Sequence, residues 1–257
     1  MSIVLSWVEL AYFMDFFKQS FSADSLLEGQ LLLIDKPLGW TSFQVVNKIR
    51  WHLKNETGIK KLKVGHAGTL DPLATGLLLI CTGKKTKSIE TFQNQAKEYT
   101  GTFFLGATTP SYDLETERDQ NFPIDHISSD LIRKTAEKFT GEIEQYPPLF
   151  SALKKEGKRL YEYAREGLRP EIKPRQISIS QFEIQKIKLP EIEFLVQCSK
   201  GTYIRSLAHD FGKTLQSGAH LTSLRRTKIG DYSLENAFHM RSVYDENSPK
   251  NISLKTN

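Results

Sequence analysis

The sequence predicts a mixed α/β domain of the α+β type, with a largely antiparallel central sheet flanked by helices. Two kinds of segment support this prediction: short apolar or alternating runs typical of strands, and longer runs whose apolar residues follow helical spacing. The two kinds alternate irregularly along the 257 residues, which favours an antiparallel sheet over a regular strand–helix repeat. A chain of this length can form one substantial core or two small ones.

Four runs have the pattern of strands. Residues 31–34 and 77–81 are continuous apolar runs bounded by proline or glycine, as is typical of buried strands. Residues 100–105 form a third candidate. Residues 192–198 alternate between apolar and polar side chains, which predicts a half-buried strand.

Three runs have the pattern of helices. Thr41 or Ser42 can cap the first helix, which continues with apolar residues at helical spacing. The second helix begins at residues 128–130 and is closed by Gly141. The third begins in the segment KGTYIR and carries one apolar face.

The charge and cysteine content limit the partners and the compartment. The net charge of +5 and the pI of about 9.0 favour a polyanionic partner, nucleic acid first. On charge alone, a merely soluble basic protein explains the balance equally well. Cys81 and Cys198 lie in apolar, strand-like runs, so we expect buried thiols. Metal-ligand spacings are absent from the sequence, and the simplest expectation is a reducing, cytoplasmic location without a metal.

The chain divides into three parts. Residues 1–29 begin with an apolar stretch that is too short and too charged to span a membrane. We interpret them as a peripheral amphipathic extension or as the result of an early start, with Met14 as the alternative initiator. Residues 30–240 form the predicted main domain, and residues 241–257 form a polar tail.

The segment GHAGTLDPLATGLL places Asp71 in a tight loop before a buried strand. Its glycines allow positive φ angles and close backbone approach. Pro72 favours extended geometry at Asp71, so the loop presents one carboxylate at the mouth of a core strand. An isolated Asp-Pro pair is more often a structural turn than a catalytic site.

Six segments in order resemble one family. They are LLLIDKPLGWTS, GHAGTLDPLATGLL, KEYTG, YPPLFSALKKEGKRLYEYAREG, CSKGTYIRSLAHDFG and GAHLTSLRRTKIG, between residues 31 and 230. This series resembles the TruB family of tRNA pseudouridine synthases. The resemblance implies the pseudouridine synthase fold for the main domain.

The resemblance implies a catalytic group of three residues. Asp71 is expected to be the essential catalytic carboxylate. Tyr99 is expected to stack on the flipped base and to help proton removal. Arg205 is expected to pair with Asp71, and a bidentate guanidinium would fix the orientation of the carboxylate.

The resemblance also implies substrate-binding residues around this group. His66 is expected to contact the displaced RNA, and Tyr203 is expected to line the pocket. Leu224 matches a leucine of the pocket wall. Lys36 and Pro37 match the KP element near the site.

Two basic clusters are candidates for RNA phosphates. Residues 154–175 interleave lysine and arginine with tyrosine, as RNA-binding surfaces do, and include a predicted helix over residues 158–166. A solvated face is the alternative interpretation. The residues assigned to RNA are Lys154, Lys155, Lys158, Arg159, Arg225 and Arg226.

The implied reaction is isomerisation of the uridine at position 55, in the T loop of tRNA, to pseudouridine. The base is flipped, the glycosidic bond is broken, and the base is rejoined through carbon. Neither a redox change nor a group donor is needed, so no cofactor is expected. The carboxylate can act as a nucleophile toward the sugar or the base, or as a base at C2′, and the sequence leaves these open.

Partners and alternatives follow from the same resemblance. The expected partner is the T stem–loop of tRNA, bound by a monomer. Many members end in a PUA domain, and the polar residues after Tyr232 predict a short form without one. One alternative is an RNA-binding or RNA-folding protein with little catalysis. Another is the catalytic subunit of a guide-RNA complex, which the missing domain disfavours.

Overall fold

The computed structural model describes residues 15–240, so the interpretations of residues 1–14, including Met14, and of the tail 241–257 lie outside it. The strands within this range are β1 (Leu31–Lys36), β2 (Val64–His66), β3 (Ala74–Thr82), β4 (Lys97–Leu105), β5 (Ala107–Thr108), β6 (Gln120–Asn121), β7 (Gly141–Gln145), β8 (Lys154–Lys155), β9 (Lys158–Arg159), β10 (Arg175–Lys188), β11 (Glu191–Cys198), β12 (Ala219–Ile229), β13 (Tyr232–Ser233) and β14 (Phe238–His239). The α-helices are α1 (Ala23–Glu28), α2 (Ser42–Thr57), α3 (Ile89–Gln93), α4 (Ser129–Lys138), α5 (Leu160–Arg165) and α6 (Ile204–Thr214). Short 3₁₀ helices cover Phe16–Lys18, Gly83–Ser88 and Leu234–Asn236.

The main sheet has the strand order β14-β1-β3-β12-β4-β11-β10-β7, with β2 paired to β3 and β13 paired to β12. Its pairs are antiparallel except for β3 with β12 and β1 with β14. This arrangement confirms the predicted mixed fold with a largely antiparallel sheet. Strands β5 and β6 form a separate hairpin, and so do β8 and β9.

Local sequence signals explain where the main helices begin. Thr41 caps α2, and its capping box with Gln44 satisfies two backbone donors at once. Ser128 caps α4 in the predicted place. The basic helix is shorter than predicted, because the β8–β9 hairpin occupies its first residues and α5 begins only at Leu160.

The central parallel pair brings the two halves of the sheet together. Leu224 on β12 lies opposite Ala74 on β3, and Arg226 lies opposite Gly76. A side chain at Gly76 would place its Cβ 2.3 Å from the Arg226 carbonyl oxygen, so only glycine fits this approach. One core cluster packs β4, β10, β11 and β12 against α4 and α6, and a second packs β1 and β3 against α2.

The described part of the N-terminal segment is integrated into the domain. Phe16 and Leu26 are fully buried in the core beside α2, and the Thr82 hydroxyl donates to the Leu26 carbonyl at 2.9 Å. Phe16, from the apolar stretch that was interpreted as peripheral, and Leu26, from the predicted N-terminal extension, are therefore part of the core. Cys81 and Cys198 are buried and free, as predicted. None of the helices within residues 15–240 is long and apolar enough to cross a membrane.

Candidate active site

The loop between β2 and β3 carries Asp71, whose side chain is 38% exposed. Ser42, the first residue of α2, makes two hydrogen bonds to the backbone of Leu70, the residue that precedes Asp71. Its hydroxyl donates to the Leu70 carbonyl at 3.1 Å and accepts from the Leu70 amide at 2.9 Å. The Asp71 carbonyl accepts from the Ala74 amide at 3.1 Å and closes the turn into β3.

Lys36 stabilises this loop from the other side. It is fully buried, and its Nζ donates to the carbonyls of Pro37, Trp40 and Pro72 at 3.0, 2.6 and 3.3 Å. Burial lowers the pKa of Lys36 to about 8. The structure corrects the predicted substrate contact, because all three donors of this ammonium group face backbone carbonyls. Lys36 and Pro37 therefore join the end of β1 to the Asp71 loop.

Arg226 also holds the Asp71 loop and is only 1% exposed. Its Nε donates to the Leu77 carbonyl at 2.8 Å and its Nη2 to the Gly68 carbonyl at 3.0 Å. Its Nη1 lies 3.5 Å from the Thr69 carbonyl. Arg226 was predicted to contact RNA phosphate, but the structure places it as a buried residue that holds the Asp71 loop through backbone carbonyls. Its neighbour Arg225 is half-exposed and pairs with Asp35 at 2.7 Å.

The predicted ion pair between Arg205 and Asp71 is present, with Nε 2.8 Å from Oδ2. It is not the bidentate pair that was expected. The Nη1 atom instead donates to the carbonyls of Ser111 and Phe150 at 3.2 and 2.9 Å. Burial opposes the charge of Arg205, but Asp71 and Asp113 outweigh it and raise the pKa of the guanidinium. Arg205 is therefore a fixed cation beside Asp71.

A second carboxylate, which was not predicted from the sequence, lies near Arg205. Asp113 is 5% exposed, and its Oδ2 lies 3.6 Å from Arg205 Nε. The hydroxyls of Thr109 and Ser111 donate to the Asp113 carbonyl and give the loop a fixed shape. A polar loop without periodicity predicts a surface turn. The sequence therefore gave no indication of a buried site residue here other than the aspartate itself.

A cleft of roughly 1070 Å³ opens beside this group. It is lined by Asp71, Tyr99, Tyr203, Arg205 and Leu224 among others, so the structure brings these predicted residues together. Burial raises the pKa of Tyr99, and the nearby Arg226 guanidinium opposes that rise. The Tyr99 phenol therefore remains protonated at neutral pH.

Tyr203 is held in the cleft wall by a residue that the sequence did not indicate. Gln145 is 1% exposed. Its side-chain oxygen accepts from the Tyr203 amide at 2.8 Å, and its side-chain nitrogen donates to the Tyr203 carbonyl at 3.0 Å. This two-point contact fixes the backbone at the start of α6, two residues before Arg205.

The remaining predicted residues lie around the cleft. His66 is half-buried on β2, and burial together with the Arg226 charge lowers its pKa. The β8–β9 hairpin carries Lys154, Lys155, Lys158 and Arg159 and follows directly on Ser151–Leu153, which line the cleft. Lys158 pairs with Glu166, and Lys155 donates to the Glu171 carbonyl. Four basic residues of the cleft lining were not assigned individually from sequence: Lys87, Lys97, Arg175 and Lys200.

Comparison with known families places this site in context. Residues 54–204 match the N-terminal domain of TruB family pseudouridylate synthases. The chain belongs to the TruB family. Residues 205–252 match the C-terminal domain of tRNA pseudouridylate synthase B.

Curated TruB-family relatives are similar over nearly their whole length. A tRNA pseudouridine synthase B from Flavobacterium johnsoniae is 64% identical over 224 residues, which cover 87% of this chain and 97% of that protein. The protein of the same name from Phocaeicola vulgatus is 56% identical over 84% of this chain and 92% of its own length.

Solved structures show the same fold in larger chains. A chain of a Cbf5-Nop10-Gar1 complex is 29% identical, with a TM-score of 0.62 over 86% of this protein. A chain of an H/ACA RNP bound to a substrate RNA containing 2′-deoxyuridine is 27% identical, with a TM-score of 0.60. This protein covers 54% and 53% of those chains.

Proposed function

We propose that this protein isomerises the uridine at position 55, in the T loop of tRNA, to pseudouridine, with Asp71 as the catalytic carboxylate. The observation that carries the proposal is the Asp71–Arg205 pair at the floor of a large cleft. Small-ligand pockets span about 300–1,000 Å³, so a cleft of roughly 1070 Å³ has room for a nucleotide and part of its backbone. The names of the curated relatives support tRNA as the substrate.

The isomerisation of uridine requires one carboxylate in a fixed position. The bond from the sugar to N1 of uracil breaks, the base turns, and a bond from the sugar to C5 forms while C5 loses its proton and N1 gains one. Atoms and electrons balance within the nucleotide. Asp71 serves as nucleophile toward sugar or base, or as base at C2′. The adjacent Arg205 guanidinium fixes the position of Oδ2 by a hydrogen bond and leaves the second oxygen of Asp71 available to substrate.

The aromatic and apolar residues of the cleft receive the extruded base. Flipping a nucleotide out of folded RNA costs a few kcal/mol, which stacking and hydrogen bonds recover. Tyr99 offers a neutral aromatic face, and Leu224 supplies an apolar wall beside Asp71. The raised pKa of Tyr99 keeps its phenol protonated, so Tyr99 aids proton removal by donating a hydrogen bond to the uracil and does not itself accept the C5 proton.

The partner is tRNA, bound by a monomer in the cytoplasm without a guide RNA or cofactor. The similarity to full-length curated synthases supports the guide-free enzyme, since this chain covers 97% of one of them. The structural neighbours from the Cbf5 and H/ACA complexes favour a guide-dependent subunit as the second candidate. Turnover of tRNA by the purified chain alone separates the two.

The test uses an unmodified tRNA transcript and chemical mapping of pseudouridine. The purified protein is expected to modify position 55 without added RNA. Asp71→Asn should give no detectable pseudouridine while tRNA binding stays near normal, because an amide lacks the nucleophilicity and basicity of a carboxylate. The exposed Asp125 supplies a matched control, and Asp125→Asn should retain full activity. Clear turnover by Asp71→Asn would remove Asp71 from the mechanism.

A further inference from the structure

The cleft wall opposite the Asp71 loop contains a guanidinium whose donors are not fully used. Arg175, the first residue of β10, lines the cleft, and its Cζ lies 4.4 Å from the centroid of the Tyr203 ring. Its Nε and Nη2 are shielded from solvent, yet neither has a hydrogen-bond partner among residues 15–240. Buried polar donors are nearly always paired, and a charged donor left unpaired is especially costly.

Two other arginines of the site find their acceptors within the protein. Arg205 donates to a carboxylate and two carbonyls, and Arg226 donates to three carbonyls. The fold therefore supplies acceptors where an arginine has a structural duty. Arg175 lines a cleft that accommodates a substrate, so an incoming substrate group can supply the acceptors that residues 15–240 do not provide.

The surroundings of Arg175 hold it in a fixed orientation. The Tyr203 ring packs against the guanidinium, with its centroid 4.4 Å from Cζ, and the Tyr203 backbone is fixed by Gln145. Gly201 has a φ of +83°, and a Cβ there would lie 3.3 Å from Arg175 Nη1. The absence of a side chain at this position keeps the guanidinium edge open. Stacking immobilises the face of the group and leaves its in-plane N–H bonds for a ligand.

The ligand of this site is an anion with two acceptor oxygens. Lys200 and Lys87 line the same cleft, so the local field favours negative charge. A planar guanidinium matches the paired oxygens of a phosphate. Tyr203 lies two residues before Arg205, which contacts Asp71, so the phosphate belongs close to the reacting nucleotide.

We propose that Arg175, stacked on Tyr203, binds a backbone phosphate of the substrate RNA next to the nucleotide that is isomerised. This inference rests on the proposed function, because it takes RNA as the occupant of the cleft. It adds a binding residue that stands at the end of the basic run 154–175 but on the cleft wall rather than on the outer hairpin. The contact holds the strand while the base leaves its stack.

The first experiment compares Arg175→Gln and Arg175→Lys with Lys188→Gln. Lys188 is exposed at the far end of β10, roughly 40 Å away at about 3.3 Å per residue, and controls for loss of one charge. Arg175→Gln should raise the Kd for tRNA about tenfold and reduce the log–log salt slope by about 0.7–0.9. Arg175→Lys should restore the slope but not the affinity, because lysine lacks the planar fork. An unchanged Kd and slope in Arg175→Gln would overturn the proposal.

The second experiment locates the phosphate with T stem–loop RNAs that each carry one neutral methylphosphonate linkage. Wild-type protein should lose about tenfold in affinity at one linkage beside the target uridine. Arg175→Lys, which keeps the charge and the fold, should lose distinctly less at that linkage and the usual amount elsewhere. Equal losses for both proteins at every linkage would overturn the proposal.

Different measurements test the proposed function and the Arg175 contact, so either can be disproved without the other. Turnover by wild-type protein on the unmodified stem–loop tests the proposed function and does not involve Arg175. The linkage scan is a binding measurement and reads the Arg175 contact whether or not turnover occurs.

Discussion

The two walls of the cleft differ in how their charges are satisfied. The inner wall consists of the Asp71 loop, residues 68–72, with Lys36 and Arg226 behind it. The outer wall consists of residues 151–153, Arg175 and residues 199–203, and here includes the β8–β9 hairpin that follows residue 153. On the inner wall, both buried cations donate to backbone carbonyls. On the outer wall, Arg175 has unpaired donors, and Lys154 and Arg159 are exposed.

This difference shows which wall has its hydrogen bonds satisfied within the protein before RNA binds. The inner wall fixes the carboxylate by contacts within the chain, which is the preorganisation that electrostatic catalysis requires. The outer wall has exposed positive charges and hydrogen-bond donors that lack acceptors in the described part of the chain. A polyanion such as RNA can bind there, because its phosphate oxygens supply the acceptors. Substitutions on the inner wall should therefore affect stability and the chemical step, whereas those on the outer wall should affect binding.

The largest expected effect is at Arg226. Arg226→Met should lower the free energy of unfolding by about 3 kcal/mol, because the buried carbonyls of Gly68, Thr69 and Leu77 lose their donors. Urea unfolding measures this loss. Arg225→Met is the matched control: its pair with Asp35 is half-exposed, so the cost should stay below about 1 kcal/mol. Equal losses at both positions would mean that Arg226 does not support the inner wall.

Arg205 tests whether orientation of the carboxylate matters. Arg205→Lys should lower the single-turnover rate at saturating tRNA about 100-fold with little change in Kd. One ammonium group cannot reach Asp71 and the carbonyls of Ser111 and Phe150 together. Weaker binding with a nearly normal saturated rate would instead assign Arg205 to RNA phosphate.

His66 gives the inner wall a pH dependence. Burial and the Arg226 charge lower its pKa below the ordinary 6.5, so the unfolded chain binds a proton more readily than the folded protein. The contribution of His66 to stability is present above pH 6.5 and is lost as the pH falls below it, at no more than about 1.4 kcal/mol per pH unit. Urea unfolding between pH 8 and 5 should show a smaller acid loss for His66→Gln than for wild type. Identical pH profiles would contradict this.

The smallest effect is expected at the exposed cations of the outer wall. The double variant Lys154→Gln, Arg159→Gln should reduce the log–log salt slope of tRNA binding by about one for each lost phosphate contact. Its unfolding free energy should stay within about 0.5 kcal/mol of wild type, because both side chains are exposed. An unchanged slope would mean that the β8–β9 hairpin is only a solvated face.

Local sequence patterns predicted much of the fold. The capping residues Thr41 and Ser128 and the alternation along residues 192–198 predicted elements that the structure contains, because each signal acts within one turn or one strand. The helix predicted over 158–166 was too long, because a hairpin competes for its first residues. Hairpin pairing depends on a partner strand, which local spacing does not report.

The sequence indicated most of the central residues of the site, but it missed Asp113 and Gln145 and did not reveal what each cation does. The sequence by itself determined the mixed fold, the family resemblance and the pairing of Asp71 with Arg205. Only the tertiary structure separated Arg225 from Arg226, which are neighbours with the same chemistry. Adjacent residues on a strand point to opposite faces, so one pairs near the surface while the other is buried against the Asp71 loop. Lys36 and Arg175 differ in the same way. Backbone carbonyls, including that of the distant Pro72, accept from Lys36, which therefore supports the fold, but none within the described residues accepts from Nε and Nη2 of Arg175, which are left for a ligand.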